Sequence, residues 1–203
     1  MSDPFFALPR ATKAPVFFEQ ILPGLALRLP PVTLPDRVVY HVHGAGVWSV
    51  GLEAGRLVVT AGVHGPIGMQ LSMTEAHFRE GLTGALRERH LAVLKKWGRP
   101  AELADFSRLR PNVARLRAAI AVGGSLAFVL DDREYADRYR YVLTVGPGPA
   151  AWQTADVTIE VDLDDLAALA AARTPPMKVL VSGKLRLAGD VALPGRLLGA
   201  LLA

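Results

Sequence analysis

The sequence predicts an α+β fold in which a mostly antiparallel, twisted sheet is covered by helices. Two groups of short runs rich in β-branched and aromatic residues, each bounded by glycine, occupy 38–73 and 125–187. Segments with apolar residues at helical spacing follow strands in both groups. Of the 203 residues 51% are apolar, so the chain can bury a sizeable core as one large domain or two small ones.

Residues 1–36 are predicted to form a proline-rich apolar arm. They hold seven of the 15 prolines, interleaved with leucines and four phenylalanines. Proline at this density excludes long helices and central strands. We therefore expect the arm to pack on the main body, with one helical turn near Phe17 to Leu22. An arm of this kind is also compatible with a homodimer, in which it would reach a second subunit.

Residues 37–122 are predicted to form a β-meander followed by basic helices. Strands at 38–43, 47–52 and 56–61 are separated by glycine-containing turns, and 69–73 alternates as a fourth strand should. Thr74 is a candidate N-cap for a helix that continues to about Trp97. A second helix is expected from Pro111 to Ala121, with Val113, Leu116 and Ile120 on one face.

Residues 123–203 are predicted to alternate strands and helices once more. Strands are expected at 125–131, 139–145, 157–161 and 184–187, and helices at about 163–172 and 193–202. Asp162 or Asp164 can cap the first of these helices, so the acids here are interpreted as caps rather than catalysts. Pro194 is tolerated in the first turn of the second helix.

The last fifty residues carry the most specific pattern. A strand, Ala155-Asp-Val-Thr-Ile-Glu-Val, leads into Asp164-Asp-Leu-Ala-Ala-Leu, then into Met177-Lys-Val-Leu-Val-Ser-Gly-Lys-Leu-Arg-Leu-Ala-Gly-Asp190 and a leucine-rich tail. This order resembles the C-terminal half of a sterol carrier protein 2 (SCP2) domain. In that family a strand with an acidic pair, a short helix, a Pro/Met turn and the segment Ser-Gly-Lys-Leu-x-Leu-x-Gly-Asp precede an apolar helix that closes a lipid tunnel. The resemblance is best over 126–203.

The resemblance implies an SCP2-like fold that binds apolar ligands in a tunnel and does not catalyse a reaction. Leucines of the terminal helix form an apolar stripe that must be buried against the sheet, a lipid or a partner, and an ordinary core helix explains the stripe equally well. Apolar residues of the strands and helices in this half are the candidate ligand-binding set: Phe128, Trp152, Val157, Ile159, Leu166, Met177, Leu180, Leu185, Leu187, Leu193, Leu197, Leu198 and Leu201.

The two β groups also show a faint internal repeat. Met69, Leu71, Met73 and Phe78 can be placed over Val157, Ile159, Val161 and Leu166 with spacing and apolar character preserved, and each copy next enters a helix. The first copy lacks the Ser-Gly-Lys-Leu-x-Leu-x-Gly-Asp segment. Either it is a degenerate SCP2 unit, or its strands extend one sheet shared with the second; we favour two SCP2-like halves packed together.

Charge is concentrated in the middle of the chain. The segment from Arg79 to Arg117 contains ten Lys and Arg residues and four acidic residues, a net charge of +6. The rest of the chain therefore has a net charge of −2. Such a block would contact an anionic membrane surface or nucleic acid, although a solvated helical face explains it as well. The block has only Trp97 and Phe106 as stacking aromatics and no nucleic-acid motif, so we expect no nucleic-acid partner.

The residues give little support for an enzyme. Cysteine is absent, no Gly-x-Ser-x-Gly motif or dinucleotide fingerprint occurs, and Asp131-Asp132 suits a turn. His41 and His43 share one face of a strand but lack an evident third metal ligand. We therefore expect neither catalysis nor a cofactor. With no secretory signal pattern and no spanning segment, the expected location is the cytoplasm.

The favoured function is a lipid-binding or lipid-transfer protein that holds a fatty-acyl, sterol-like or isoprenoid ligand. The runner-up is an accessory scaffold that presents an apolar intermediate to partner enzymes, similar to the SCP2-domain factors of bacterial quinone biosynthesis. Partner capture with retained lipid would distinguish the second function from the first. In the first, the basic block would hold the protein against anionic head groups by a weak, salt-sensitive attraction.

Overall fold

The computed structural model describes residues 8–9, 11–25, 29, 31–84, 86–88, 112–170 and 176–202, with the backbone alone for 167, 170, 176, 177 and 180. The strands are β1 (Arg37–His43), β2 (Gly46–Glu53), β3 (Arg56–Ala61), β4 (Ile67–Thr74), β5 (Gly124–Asp132), β6 (Asp137–Val145), β7 (Val157–Asp162) and β8 (Leu185–Gly189). The helices are α1 (Ala14–Val16), α2 (Glu75–Thr83), α3 (Val113–Val122), α4 (Leu163–Ala170), α5 (Pro176–Val181) and α6 (Leu193–Leu202).

The eight strands in the described part of the chain form one sheet, in the order β3-β2-β1-β4-β6-β5-β7-β8. Neighbouring strands are antiparallel except for β1 beside β4 and β5 beside β7, which are parallel. The predicted α+β class with a mostly antiparallel sheet is confirmed.

One face of this sheet is apolar along its whole width. Cross-strand partners share a face, and the register aligns Tyr40 with Leu71, Leu71 with Leu143, and Leu143 with Leu126. Among the described residues, three buried clusters form on this face, one including Phe18 and Trp48, one Leu130 and Val161, and one Leu126 and Val157. The described helices α2, α3, α4 and α6 pack on this face of the sheet.

The arm packs on this apolar face at the first half of the sheet. After α1 the chain forms a wider π turn (Phe17–Ile21) and a 3₁₀ turn (Leu22–Gly24). Phe18 is 1% exposed and stacks on Trp48 with ring centroids 4.8 Å apart. The indole N–H of Trp48 donates to Glu19 Oε1 at 3.1 Å. The predicted docking of the arm, with a short helical turn near Phe17, is confirmed.

The opposite face is covered where the chain from 146 to 156 crosses it. Gln70 donates to the Gly148 carbonyl at 2.6 Å, and the Thr144 hydroxyl accepts from the Ala151 amide at 3.0 Å. The Arg140 guanidinium donates to the Trp152 carbonyl at 3.2 Å. Small and polar residues can therefore be buried on this face.

Side-chain caps begin three helices, two of them where the sequence predicts. Thr74 Oγ1 accepts from the His77 amide at 3.1 Å, and Asp162 Oδ1 accepts from the Asp164 amide at 2.9 Å. The cap of α3 is Asn112, so the prediction of Pro111 as its first residue is wrong. The expected continuous helix to Trp97 is wrong too, because Gly84 adopts an extended conformation and ends α2 at Thr83.

A hairpin and a parallel strand followed by a helix occur twice. The first set is β1, β2 and β4 with α2, and the second is β5, β6 and β7 with α4. Antiparallel pairing of β4 with β6 joins the two sets into one sheet. The reading of the first set as an SCP2-like half, and the domain boundaries at 36 and 122, stay predictions.

Candidate functional site

A cavity of about 630 Å³ lies on the apolar face of the sheet. Its floor comes from strands of both halves of the chain, because β4 and β6 are neighbours and their apolar residues share this face. The floor residues are Val38, Met69, Leu126, Phe128, Leu143, Val145 and Ile159.

Among the described helices, α3 and α6 roof the cavity. α3 packs against α6, and each turns an apolar stripe toward the sheet. The roof residues are Val113, Leu116, Ala119 and Ile120 from α3 and Pro194, Leu197, Leu198 and Leu201 from α6. Leu198 and Leu201 remain 56% and 40% exposed, so the cavity reaches solvent beside α6.

The segment before β1 closes one end. Leu34, Pro35 and Asp36 line it, together with Arg37 and Gly68. Arg37 sends its guanidinium to the other face, where Nη2 donates to Glu53 Oε1 at 2.8 Å and the group packs on Gly51. Asp36 and Arg37 are the charged residues at this end, and the surface that the cavity exposes is almost wholly apolar.

The roof approaches the sheet closely because β5 begins with glycine. Gly124 has φ +105°, and a Cβ there would lie 2.8 Å from Leu193 Cδ2. Leu193 is 2% exposed and packs with Val157 and Leu126 next to the cavity. A hydrogen at this position lets the first turn of α6 lie directly on the sheet.

Hydrogen bonds fix the strand ends below this turn. The amide and hydroxyl of Ser125 each donate to Asp156 Oδ2 at 2.8 Å, and the Asp156 amide donates to Ser125 Oγ at 2.9 Å. The Asp190 amide donates to the Asp156 carbonyl at 2.7 Å. Three segments at the cavity edge are thereby joined.

An exposed ion pair ties the turn before α6 to the helix itself. Arg196 Nη2 donates to Asp190 Oδ2 at 2.7 Å. This hydrogen bond holds the pKa of the Asp190 carboxyl below its ordinary value and raises that of Arg196. The pair orients α6, and its exposure keeps its contribution to stability small.

Three tyrosines occupy the apolar face away from the cavity. Burial raises the pKa of Tyr40 and of Tyr141, whose hydroxyl donates to the His77 carbonyl at 2.9 Å. Burial, followed by the charge of Asp137, raises the pKa of Tyr139 to about 12. These hydroxyls are therefore neutral structural groups.

The two histidines of β1 do not form a metal centre with their described neighbours. The His41 ring bonds Gln70 Oε1 at 3.0 Å, and His43 stacks on Trp152 with centroids 4.5 Å apart. Burial, and then the neighbouring His41, lower the pKa of His43. Within the described ranges, no three His, Asp or Glu side chains lie close enough together to hold a metal.

Five of the predicted ligand-binding residues line the cavity together: Phe128, Ile159, Leu197, Leu198 and Leu201. Val157 and Leu193 lie buried beside it, in the cluster that includes Leu197. Contact of any of them with a ligand stays a prediction.

The structure places the remaining predicted residues elsewhere. Leu166 packs in a separate cluster around Leu130, and Trp152 lies on the opposite face against His43. Leu185 and Leu187 are half-buried on the edge strand β8 and do not line the cavity. The side chains of Met177 and Leu180 lie outside the described residues.

The contributions of α3 and of the end wall to the cavity were not predicted from the sequence. The sequence predicted one apolar helix face with Val113, Leu116 and Ile120, but it did not indicate that this face packs over the cavity beside α6. Nothing in the sequence marked Leu34 and Val38 as cavity-lining residues, since the arm and the first strand lie outside the segment that resembles SCP2. Most of the basic block between Arg79 and Arg117 lies outside the described residues, so its predicted membrane contact stays a prediction.

A match to a family model agrees with this geometry. Residues 104–201 match the SCP-2 sterol transfer family. No curated protein sequence matches the chain. Over the part of the chain that is described, every helix is too short or too polar to cross a membrane.

Solved structures with distant similarity include two sterol carrier proteins. Sterol Carrier Protein 2 from Yarrowia lipolytica (apo form) is 18% identical, with 44% of this chain and 78% of that chain covered and a TM-score of 0.34. Sterol Carrier Protein 2 Like 2 from Aedes aegypti is 19% identical, with 55% and 93% covered and a TM-score of 0.34.

An enzyme also shows similarity, over a small part of its length. The inverting sec-alkylsulfatase Pisa1 from Pseudomonas sp. is 19% identical, with 50% of this chain and 18% of that chain covered and a TM-score of 0.30. Residues 104–201, which supply most of the cavity lining and both of its described roof helices, are thus the part of this chain that is similar to the SCP-2 sterol transfer family.

Proposed function

We propose that the chain is a non-catalytic lipid carrier that holds a fatty-acyl, sterol-like or isoprenoid ligand in the cavity between the sheet and helices α3 and α6. The observation that carries this proposal is the lining, which is apolar except for Asp36 and Arg37. The volume of about 630 Å³ falls in the range of small-molecule sites.

Removal of the ligand's apolar surface from water supplies the binding free energy. Each buried CH₂ contributes about 0.8 kcal/mol, and a micromolar complex requires about 8 kcal/mol. An alkyl chain with roughly ten methylenes inside the cavity reaches this value without any polar contact. The ligand is then selected by length and shape, as expected for an apolar pocket.

The position of α6 supports a route for exchange. Leu198 and Leu201 line the cavity and are also exposed, so a small outward displacement of α6 would open the ligand space to solvent. Lipid exchange at a membrane surface, helped by the basic block, fits such a displacement.

The accessory-scaffold function is the second candidate. Leu202, at the end of α6, is 67% exposed, next to Leu201, which lines the cavity and is 40% exposed. Exposed apolar side chains near a ligand entrance offer contact area to a partner enzyme. Partner binding that leaves the lipid in place would favour this function over transfer.

Native mass spectrometry of the purified protein, followed by organic extraction and lipid analysis, tests the proposal. The carrier function predicts a discrete adduct mass that is lost on denaturation and is recovered in the extract as a lipid. An apo mass that persists after incubation with fatty acids, fatty alcohols, sterols and quinones would contradict it.

A further inference from the structure

The outer surface of the roof consists of apolar and cationic residues alone. α3 and α6 pack on each other and line the cavity with their inner sides, so their exposed residues form one outer layer. These exposed residues are Ala114, Arg115, Arg117, Ala118, Ala121 and Val122 on α3, and Gly195, Arg196, Leu198, Gly199, Leu201 and Leu202 on α6. A solvated helical face normally carries acids and uncharged polar side chains as well. This surface has neither.

The cations on α3 are not balanced by nearby acids. Neither α3 nor α6 contains an acidic residue, and within the described ranges the guanidinium groups of Arg115 and Arg117 form no ion pair. Helical spacing places these two arginines on opposite flanks of the strip of small apolar residues between them. Cationic side chains that flank an apolar strip are typical of a helix at a membrane surface, because the charged ends reach the head groups while the strip faces the acyl chains.

Large hydrophobic side chains are exposed next to the cavity opening. Of the nine such side chains in the described part of the chain, four belong to this surface: Val122, Leu198, Leu201 and Leu202. Leu198 and Leu201 also line the cavity, so the apolar surface is continuous with the ligand space. A lipid surface matches both features, since anionic head groups complement the arginines and acyl chains accept the exposed leucines.

We propose that the outer surface of α3 and α6 docks on a membrane that contains anionic lipids and thereby places the cavity opening against the bilayer. Arg115 and Arg117 supply the electrostatic attraction, while Val122, Leu198 and Leu202 enter the interfacial layer. A role of this docking in ligand exchange rests on the proposed carrier function, whereas the docking itself requires no ligand.

Flotation of the full chain with lipid vesicles tests the inference. The vesicles contain phosphatidylcholine alone, or phosphatidylcholine and phosphatidylserine in about a 3:1 ratio. The double variant Val122→Ser/Leu202→Ser removes apolar contacts, and Arg115→Gln/Arg117→Gln removes charge. None of these four residues lines the cavity, so displacement of an apolar fluorophore by dodecanol, without vesicles, measures ligand binding separately.

Matched control variants remove the same kinds of group away from the roof. Val63→Ser/Val181→Ser replaces two valines that are 51% and 82% exposed. Arg56→Gln/Arg186→Gln replaces two exposed arginines on the edge strands β3 and β8. The strand register places both of these arginines on the sheet face opposite the roof.

Wild type is expected to bind the mixed vesicles at least about tenfold more tightly than phosphatidylcholine alone. On the mixed vesicles, Val122→Ser/Leu202→Ser should bind at least about tenfold more weakly, and loss of the two arginines should weaken binding by about fivefold for each. Both control variants should stay within about threefold of wild type. Dodecanol should bind all variants as it binds wild type.

Wild type that does not float with the mixed vesicles, roof variants that float as wild type does, or control variants that lose as much as the roof variants would each overturn the docking surface. Retained dodecanol binding in the same samples would leave the carrier function intact. Flotation that follows the expected order in a protein that binds no dodecanol would instead support the docking surface and remove its role in exchange.

Discussion

Ser125 and Asp156 exchange three hydrogen bonds that hold the first residues of the parallel strands β5 and β7 together. Ser125 is buried, at 6% exposure, so loss of the Asp156 carboxylate would leave its amide and hydroxyl without acceptors. The pair lies directly below the first turn of α6, since Asp156 also accepts from the Asp190 amide.

Asp156→Ala is expected to lower the free energy of unfolding by about 2 kcal/mol, whereas Asp156→Asn, which keeps an acceptor oxygen, should lose less. Urea denaturation of wild type, Asp156→Ala, Ser125→Ala and the double variant measures the coupling between the two residues. We expect a coupling energy of about 1 kcal/mol. Strict additivity of the two single effects would show that the two side chains do not stabilise each other.

Gly124→Ala is expected to destabilise the protein by roughly 2 kcal/mol or more. The added methyl group meets Leu193 Cδ2 at 2.8 Å, and φ +105° strains any side chain. Gly199→Ala is the matched control, because a Cβ there meets nothing within 4 Å and alanine favours a helix. Urea midpoints should therefore shift in opposite directions, and equal midpoints for the two variants would refute close contact between α6 and β5.

Phe18→Ala tests the arm as part of the core. Phe18 is 1% exposed and its ring contacts Tyr40, Trp48 and Phe78. Removal of a buried phenyl ring should cost about 3–4 kcal/mol. Val16→Ala, at a site 39% exposed, should stay within about 1 kcal/mol of wild type. Unfolding followed by Trp fluorescence compares the two, and similar small losses would mean that the arm does not dock in solution.

Tyr139 makes stability depend on alkaline pH. Its pKa is about 12 in the folded chain and about 10 in an unfolded one, so above pH 10 the folded state retains a proton that the unfolded state loses. The stabilisation is fully present below pH 10 and falls as pH rises toward 12. Tyr139→Phe should flatten this fall in urea experiments between pH 9 and 11.5, and an equally steep fall in the variant would contradict the burial of the hydroxyl.

The strands could be predicted from the sequence, because alternation of apolar and polar residues and glycine-containing turns are local signals. Thr74 and Asp162 were recognised as caps for the same reason, since a cap acts on amides two or three residues away. Gly84 was not recognised as a helix end, because its extended conformation depends on where the chain turns next and not on the helical pattern before it.

The candidate site was predicted only in its C-terminal part. Leu197 and Ile159 belong to a recognised pattern, whereas Ala119 and Met69 join them through α3·α6 packing and β4·β6 pairing, contacts between distant parts of the chain. Trp152 was predicted to be among the ligand-binding residues, but it lies on the other face of the sheet against His43. Alternation along the strands does not indicate which side of the sheet a crossing segment covers.

The proposed carrier function places an apolar ligand in the space between the sheet and α3. Ala119 is 7% exposed and lines this space, whereas its neighbour Ala118 is exposed on the outer side of α3. Titration of dodecanol against a displaced apolar fluorophore in Ala119→Phe and Ala118→Phe, after matched circular dichroism spectra confirm folding, measures occupancy directly. We expect Ala119→Phe to bind dodecanol at least about tenfold more weakly because its ring fills the cavity, while Ala118→Phe binds as wild type does. Equal affinity in the two variants would contradict occupancy of this cavity by the ligand.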